Sequence, residues 1–313
     1  MTDQMTESRA PTSPDLEEIM AMSMRERLDP LIAERAPWMY RDGMVMRPIR
    51  GALHLLLGYD KALKVGEQLR HWDSPTIMDF MADMIARKTE ISGLENIPAS
   101  GRAMIVSNHP TGIADGIILW KLIAQRRPDM FFFANADALR ILPQLREIIA
   151  PVEWREDKRS HAQNRETLAY AKDAAAKERL AVIFPSGRLA KRRRFRLHER
   201  EWMASAAMMA RKFNMPVIPM HMTARNSALF YLFDKLHPTL RDITLFHEVL
   251  NKDKQRYKVE LGTPIDPSAL PQGSVEATEF LKQKVLSLPQ DRNQSLLEPG
   301  STFDKIERAL ALS

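Results

Sequence analysis

Four short, almost wholly apolar runs set the frame within which this chain can fold: Ala103–Val106, Met130–Ala134, Leu180–Phe184 and Pro216–Met222. Each is too short for an ordinary helix and lacks the polar alternation of a strand with one wet face, so each reads as a strand covered on both sides. Helix-length segments stand between them: Asp115–Gln125, Asp137–Ile149, His161–Glu178 and Glu201–Phe213. Shorter strands are predicted at Glu90–Leu94, Pro151–Trp154 and Tyr257–Leu261, and a closing helix at Ser274–Leu288. Strands alternating with helices argue for an α/β fold with a mainly parallel central sheet flanked by helices.

Upstream of this pattern the chain reads as an N-terminal helical extension. Residues 1–13 are polar and carry two prolines without apolar periodicity, which predicts disorder. Asp15–Arg35 predicts one helix broken near Pro30, or two short ones, and Trp72–Arg87 another. Between them, Met44–Arg70 interleaves apolar residues such as Ile49, Leu53, Leu55, Leu56 and Leu57 with Arg47, Arg50, Lys61, Lys64 and Arg70. That composition suits either the plane of a membrane interface or a helical flap on the main domain. The organisation expected is thus a tail and helical region over 1–88, a main domain over 89–290, and a C-terminal tail or helix over 291–313, with a terminal helix at Phe303–Leu312.

Composition removes several kinds of chemistry. No cysteine is present, which excludes thiol nucleophiles, disulfides and thiolate metal sites. No run approaches the roughly 18 apolar residues of a spanning helix, and the N-terminus shows no secretory pattern, so the expected place is cytoplasmic, peripheral to the inner membrane. The formal charge of +6 calls for an anionic partner. A zinc finger or an aromatic RNA-binding motif is absent, so nucleic acid is not expected. His247-Glu248 lacks a second histidine at metal-binding spacing, no metal site is expected, and His221 reads as a strand-end residue.

The chemistry gathers where strands end. Ser107–Asp115 (SNHPTGIAD) runs from a strand through a turn to a carboxylate at the start of a helix. Phe184–Arg194 (FPSGRLAKRRR) and Met215–Met222 also fall at strand C-terminal ends, where open α/β sheets collect ligand groups. Their order and spacing resemble the glycerolipid acyltransferase superfamily, which includes the 1-acyl-glycerol-3-phosphate acyltransferases, over about Ile91–Pro267. The superfamily carries an Asn-His motif with a downstream Asp, then a Phe-Pro-Glu-Gly-Thr-Arg-like motif, then a Val-Pro-hydrophobic-Pro strand. Two departures stand out: five residues rather than four separate His109 from Asp115, and Phe184-Pro185-Ser186-Gly187-Arg188 lacks the acid and shifts the arginine. Both are similar to the hemolysin-like branch of lysophospholipid and lyso-ornithine-lipid acyltransferases.

The resemblance implies a transferase of phospholipid or other lipid metabolism. It would move a fatty acyl group from an acyl carrier protein or coenzyme A thioester to the hydroxyl of a lysolipid, 1-acyl-glycerol-3-phosphate or lyso-ornithine lipid, with no bound cofactor. His109 would be the general base and Asp115 the carboxylate that orients it. Asn108, Gly112, Pro185, Ser186, Gly187 and Arg188 would line the substrate site, Gly112 leaving room for the thioester and Arg188 binding the headgroup. The Lys191–Arg194 run and Arg196 would face an anionic lipid or carrier protein. Ser186 is a turn residue or substrate donor rather than a nucleophile, because PSGR lacks the glycine-serine-glycine elbow of hydrolases. The rival class is a non-catalytic protein that binds anionic lipid or nucleic acid through the same basic stretches, which would not require His109 and Asp115 to meet.

Overall fold

The computed structural model describes residues 16–288 apart from 42, 43, 45, 154–159, 194 and 195. The expectations for the first 13 residues, for Phe303–Leu312, for Trp154 and for Arg194 therefore lie outside the described residues. In chain order the helices are α1 (Leu16–Ala21), α2 (Met24–Arg35), α3 (Met46–Leu57), α4 (Tyr59–Leu69), α5 (Ser74–Ile85), α6 (Ile113–Ile123), α7 (Asp137–Ile141), α8 (His161–Ala176), α9 (Ser205–Lys212), α10 (Ala228–Leu236), α11 (Pro238–Leu250) and α12 (Ser274–Leu286). The strands are β1 (Lys88–Ser92), β2 (Ala103–Ser107), β3 (Phe131–Asn135), β4 (Ile149–Val152), β5 (Leu180–Ile183), β6 (Lys191–Arg193), β7 (Arg196–His198), β8 (Val217–Thr223) and β9 (Arg256–Leu261).

Seven strands form one sheet in the order β1-β9-β8-β2-β5-β3-β4, and β6 and β7 make a separate antiparallel hairpin. The pairings from β8 through β4 are parallel, whereas β9 runs antiparallel to β8 and β1 runs parallel to β9. The sheet is thus mainly parallel, as its apolar strands require. All five residues of β2 are buried. Alternation along the strands divides the core: Ile105, Phe132, Val182 and Ile218 pack under α5 and α6, and Met104, Phe131, Ala181 and Val217 pack under α8, α9 and α12. Because β2, β5 and β8 are parallel neighbours, the segments that follow them emerge on the same edge of the sheet.

Several boundaries differ from the sequence reading for local reasons. The first helical stretch is two helices, but the break falls at Met22–Ser23 and α2 runs through Pro30. Ser23 caps α2 and Glu26 reciprocates, so a start signal outweighs one lost hydrogen bond. The helix expected to reach Ile149 stops at Ile141, because Pro143 disfavours helical backbone at Leu142 and offers no N–H. Ile148 then leads into β4, an edge strand that tolerates Pro151. Lys191–Arg193 and Arg196–His198 pair as the β6–β7 hairpin, two strands that the sequence reading did not include.

The N-terminal helices pack on the sheet domain. Arg35 pairs with Asp137 at 2.7 Å, the Arg27 guanidinium donates to the Ile141 carbonyl at 2.8 Å, and Trp38 Nε1 donates to Thr239 at 3.0 Å. α11 touches α2, α3, α4 and α6. It also carries Glu248, whose carboxylate meets Lys252 Nζ at 2.6 Å with both side chains almost fully buried. Lys252 further donates to the Arg225 carbonyl at 3.1 Å and to Asn226 Oδ1 at 2.7 Å, and the Ser227 N–H donates to Glu248 at 2.9 Å. This pair ties the segment after β8 to α11. Burial opposes both charges, but the Lys252 charge and the hydrogen bonds hold the Glu248 carboxyl below its ordinary range. Removing one member strands the other, so Glu248→Ala should lower stability by about 3–5 kcal/mol in urea unfolding. A loss below about 1 kcal/mol, the size for an exposed pair, would mean that Lys252 finds water instead.

Candidate functional site

The site begins where β2 leaves the sheet. Asn108 follows the last β2 residue, and its carboxamide carries the same donor and acceptor as a peptide group. It donates to the Met222 carbonyl at 2.9 Å and accepts from the Met222 N–H at 2.7 Å. The side chain thereby completes the ladder to β8 while the backbone turns away. Asn108 is buried and makes this clasp.

The turn is built around Asp115, which is fully buried. It lies in the first turn of α6 rather than at its start. Its Oδ2 accepts from the Thr111 N–H at 3.0 Å, the Gly112 N–H at 3.1 Å and His109 Nδ1 at 2.9 Å, and its Oδ1 accepts from the Thr111 hydroxyl. A buried carboxylate is tolerable only when its lone pairs are used, and the helix N-terminus adds favourable field. Gly112 has φ of 95°, and a Cβ there would lie 3.0 Å from Leu189 Cδ2. The glycine therefore serves the turn, and Leu189 occupies the space beside it. The His109 ring stacks on Phe184, with centroids 4.3 Å apart, and retains 19% side-chain exposure. Because a carboxylate only accepts, the bond to Asp115 makes Nδ1 the donor, and in the neutral ring this leaves Nε2 as the acceptor.

The segment after β5 lies against this turn. Gly187, with φ of 57°, donates its N–H to the Phe184 carbonyl at 2.9 Å. Pro185 is buried and its carbonyl accepts the Met203 N–H at 3.0 Å. The buried Ser186 hydroxyl donates to the Arg188 carbonyl at 2.8 Å, which is a turn bond. Arg188 is exposed. Arg200 donates through Nε to the Leu189 carbonyl at 2.9 Å. Burial and the nearby Arg241 and Arg188 charges push the Arg200 guanidinium below its ordinary range. Such an arrangement can receive an anionic group beside an imidazole that takes up protons.

Two features escaped the sequence reading. One is Glu199, whose carboxylate accepts the His109 N–H at 3.3 Å and Trp202 Nε1–H at 3.2 Å. Burial pushes its carboxyl upward, opposed by the Ser186 hydroxyl and by the His109 charge and N–H. Nothing in the HER text around it signals a site. The other is the α10–α11 pair, which supplies Leu245 near Gly112. His221 is buried on β8 opposite Glu260 and is pushed down to about 4 by burial, first of all, and by Lys258, which keeps it neutral. Among the described residues no His, Cys, Asp or Glu cluster is arranged to hold a metal, and no helix is long and apolar enough to cross a membrane.

Residues 88–223 match the family model described as Acyltransferase. The chain is 24% identical over 214 residues to a lyso-glycine lipid O-acyltransferase of Phocaeicola vulgatus, covering 66% of this chain and 75% of that one. It is 23% identical over 214 residues to the lyso-glycine lipid O-acyltransferase of Bacteroides thetaiotaomicron, covering 66% and 77%. The crystal structure of the 1-acyl-sn-glycerophosphate acyltransferase PlsC from Thermotoga maritima superposes with a TM-score of 0.44 at 12% identity, covering 83% of this chain and 94% of that one.

The four donors on Asp115 order its variants. Asp115→Asn keeps one oxygen for the amides and turns its NH2 toward a hydroxyl able to accept, so it forfeits the charge. Asp115→Ala leaves buried donors unpaired. Urea unfolding should therefore show a loss of about 1–2 kcal/mol for Asn and a distinctly larger one for Ala. Equal losses would mean that the turn relaxes to bond water.

Proposed function

Since the chain belongs, through its residues 88–223, to the glycerolipid acyltransferase superfamily, we propose that it transfers a fatty acyl group from a carrier-protein or coenzyme A thioester to the hydroxyl of a lysolipid with an anionic headgroup. The observation that carries this reading is the 2.9 Å bond from His109 Nδ1 to the buried Asp115 carboxylate, with the ring still reachable at the sheet edge. An alcohol is a poor nucleophile at neutral pH. Nε2 of His109 takes its proton as the oxygen attacks the thioester carbonyl, an effect worth roughly 10²–10⁴-fold. Asp115 keeps the tautomer and stabilises the imidazolium, which returns the proton to the departing thiol. The substrate hydroxyl attacks directly, so no enzyme nucleophile is needed.

Arg188 and Arg200 supply positive charge beside the turn, which suits a phosphate or a carboxylate headgroup. Among such acceptors an amino-acid-type lysolipid comes first, because two curated relatives are lyso-glycine lipid O-acyltransferases. The test is incubation with labelled acyl thioesters and a panel comprising lyso-glycine lipid, lyso-ornithine lipid and lysophosphatidic acid. Wild-type protein should acylate at least one of them and His109→Ala none, while its circular dichroism spectrum stays that of the folded protein. Transfer by His109→Ala, or by neither protein, defeats the reading.

The same chemistry needs access to lipid. α3 packs Leu53 and Leu57 inward, whereas Leu55 is 86% exposed and Ile49 and Leu56 are also exposed, with Arg47 and Arg50 on the same helix. The protein should therefore cosediment with anionic vesicles and release as salt screens the basic component. Absent or salt-insensitive binding would assign α3 to packing alone.

A further inference from the structure

Both backbone hydrogen-bonding groups of His109 are held by the two feet of one hairpin. On the entering side, the Ala190 N–H donates to the His109 carbonyl at 2.9 Å. On the leaving side, Glu199 accepts the His109 N–H at 3.3 Å through Oε2. Residues 190 and 199 flank the β6–β7 hairpin, so His109 is suspended between them. The other Glu199 oxygen, Oε1, accepts from Trp202 Nε1–H at 3.2 Å, and Trp202 is buried in the core under α9. The Ser186 hydroxyl lies against the same carboxyl.

The donor count decides what this residue must be. Both oxygens face N–H groups that have no acceptor role, and a carboxylate accepts on both at once, whereas a carboxamide turns a donor toward one of them. The His109 ring is fixed on one side by Asp115 and on another by Phe184, so a shift of its backbone changes where Nε2 points. We infer that Glu199 is a positioning residue for the acyl-transfer step: its carboxylate, anchored to Trp202, holds the His109 backbone so that the imidazole faces the acceptor hydroxyl. The inference rests on the proposed general-base reading of His109.

Glu199→Gln is nearly isosteric and tests this directly. Its kcat should fall roughly 10²-fold, the scale of a misplaced reacting group. Donor and acceptor KM should stay near wild type, because the bonds of Glu199 run to the His109 backbone and to Trp202, and the variant should remain folded. Glu199→Ala should lose a similar factor. Adding Ser186→Glu to it puts a carboxylate beside His109 from the neighbouring loop and should recover most of the rate. Wild-type kcat in Glu199→Gln overturns the inference. So does a raised acceptor KM with kcat unchanged, or a folded double variant no faster than Glu199→Ala. A readout independent of turnover separates this from failure of the acyltransferase reading. The imidazole 15N resonances of His109, assigned by their loss in His109→Ala, should move in Glu199→Gln, and unchanged resonances overturn the inference even if no acyl transfer is found.

Discussion

A carboxylate with no exposure, Asp115, is the constraint on which the edge of the sheet depends. In a dry turn it is tolerable only because two amides, a hydroxyl and an imidazole converge on it. That convergence fixes the path from β2 into α6 and accounts for the residue types along it. A hydroxyl is needed at Thr111, and a backbone with positive φ at Gly112. His109 is oriented as a by-product of satisfying the charge. The same contacts that make the turn stable leave one imidazole nitrogen facing outward, so stability and proposed chemistry come from one set of bonds.

The second requirement is that three separate segments meet. Parallel pairing of β2 with β5 and β8 delivers them to one edge. The Asn108 clasp on Met222 closes one gap, and Phe184 stacking on His109 closes the other. The β6–β7 hairpin then grips the His109 backbone at both ends. Glu199 arrives there from the far end of the hairpin. The negative charge that the Pro185-Ser186-Gly187 turn lacks is thus supplied beside it by a residue distant in sequence. The exposed Arg188, and Arg200 bonded to the Leu189 carbonyl, put positive charge beside a site whose deepest group is a carboxylate.

The N-terminal helices reconcile two demands that the sequence posed as alternatives. Ile32, Ala36, Met39, Leu57 and Tyr59 form a core with Ile243 of α11, so this region is packed on the sheet domain. Yet Leu55 and Leu56 of α3 stay outside that core. One helix presents a packed edge and an apolar outer edge: the packing is that of a flap, and the outer edge is the part proposed to meet lipid.

What the sequence determined by itself was whatever depends on neighbours in the chain. Short apolar strands separated by helix-length segments dictated a mainly parallel sheet. The strand, turn and acid of Ser107–Asp115 named His109 and Asp115, because a pair six residues apart across a single turn needs no distant element to meet. Boundaries went astray where a local signal was misjudged, as when the Ser23 cap prevailed over Pro30 or Pro143 ended α7 early. Tertiary structure alone decided what lies far apart in sequence. Glu199 reaches His109 across 90 residues and Asn108 reaches Met222 across 114, and neither pairing leaves a periodicity or motif to read. The Leu189 side chain beside Gly112 likewise comes from a segment far away in the chain. Local chemistry can be read from spacing; the partners of a buried polar group are fixed by which strands pair and which loops they bring to the same edge.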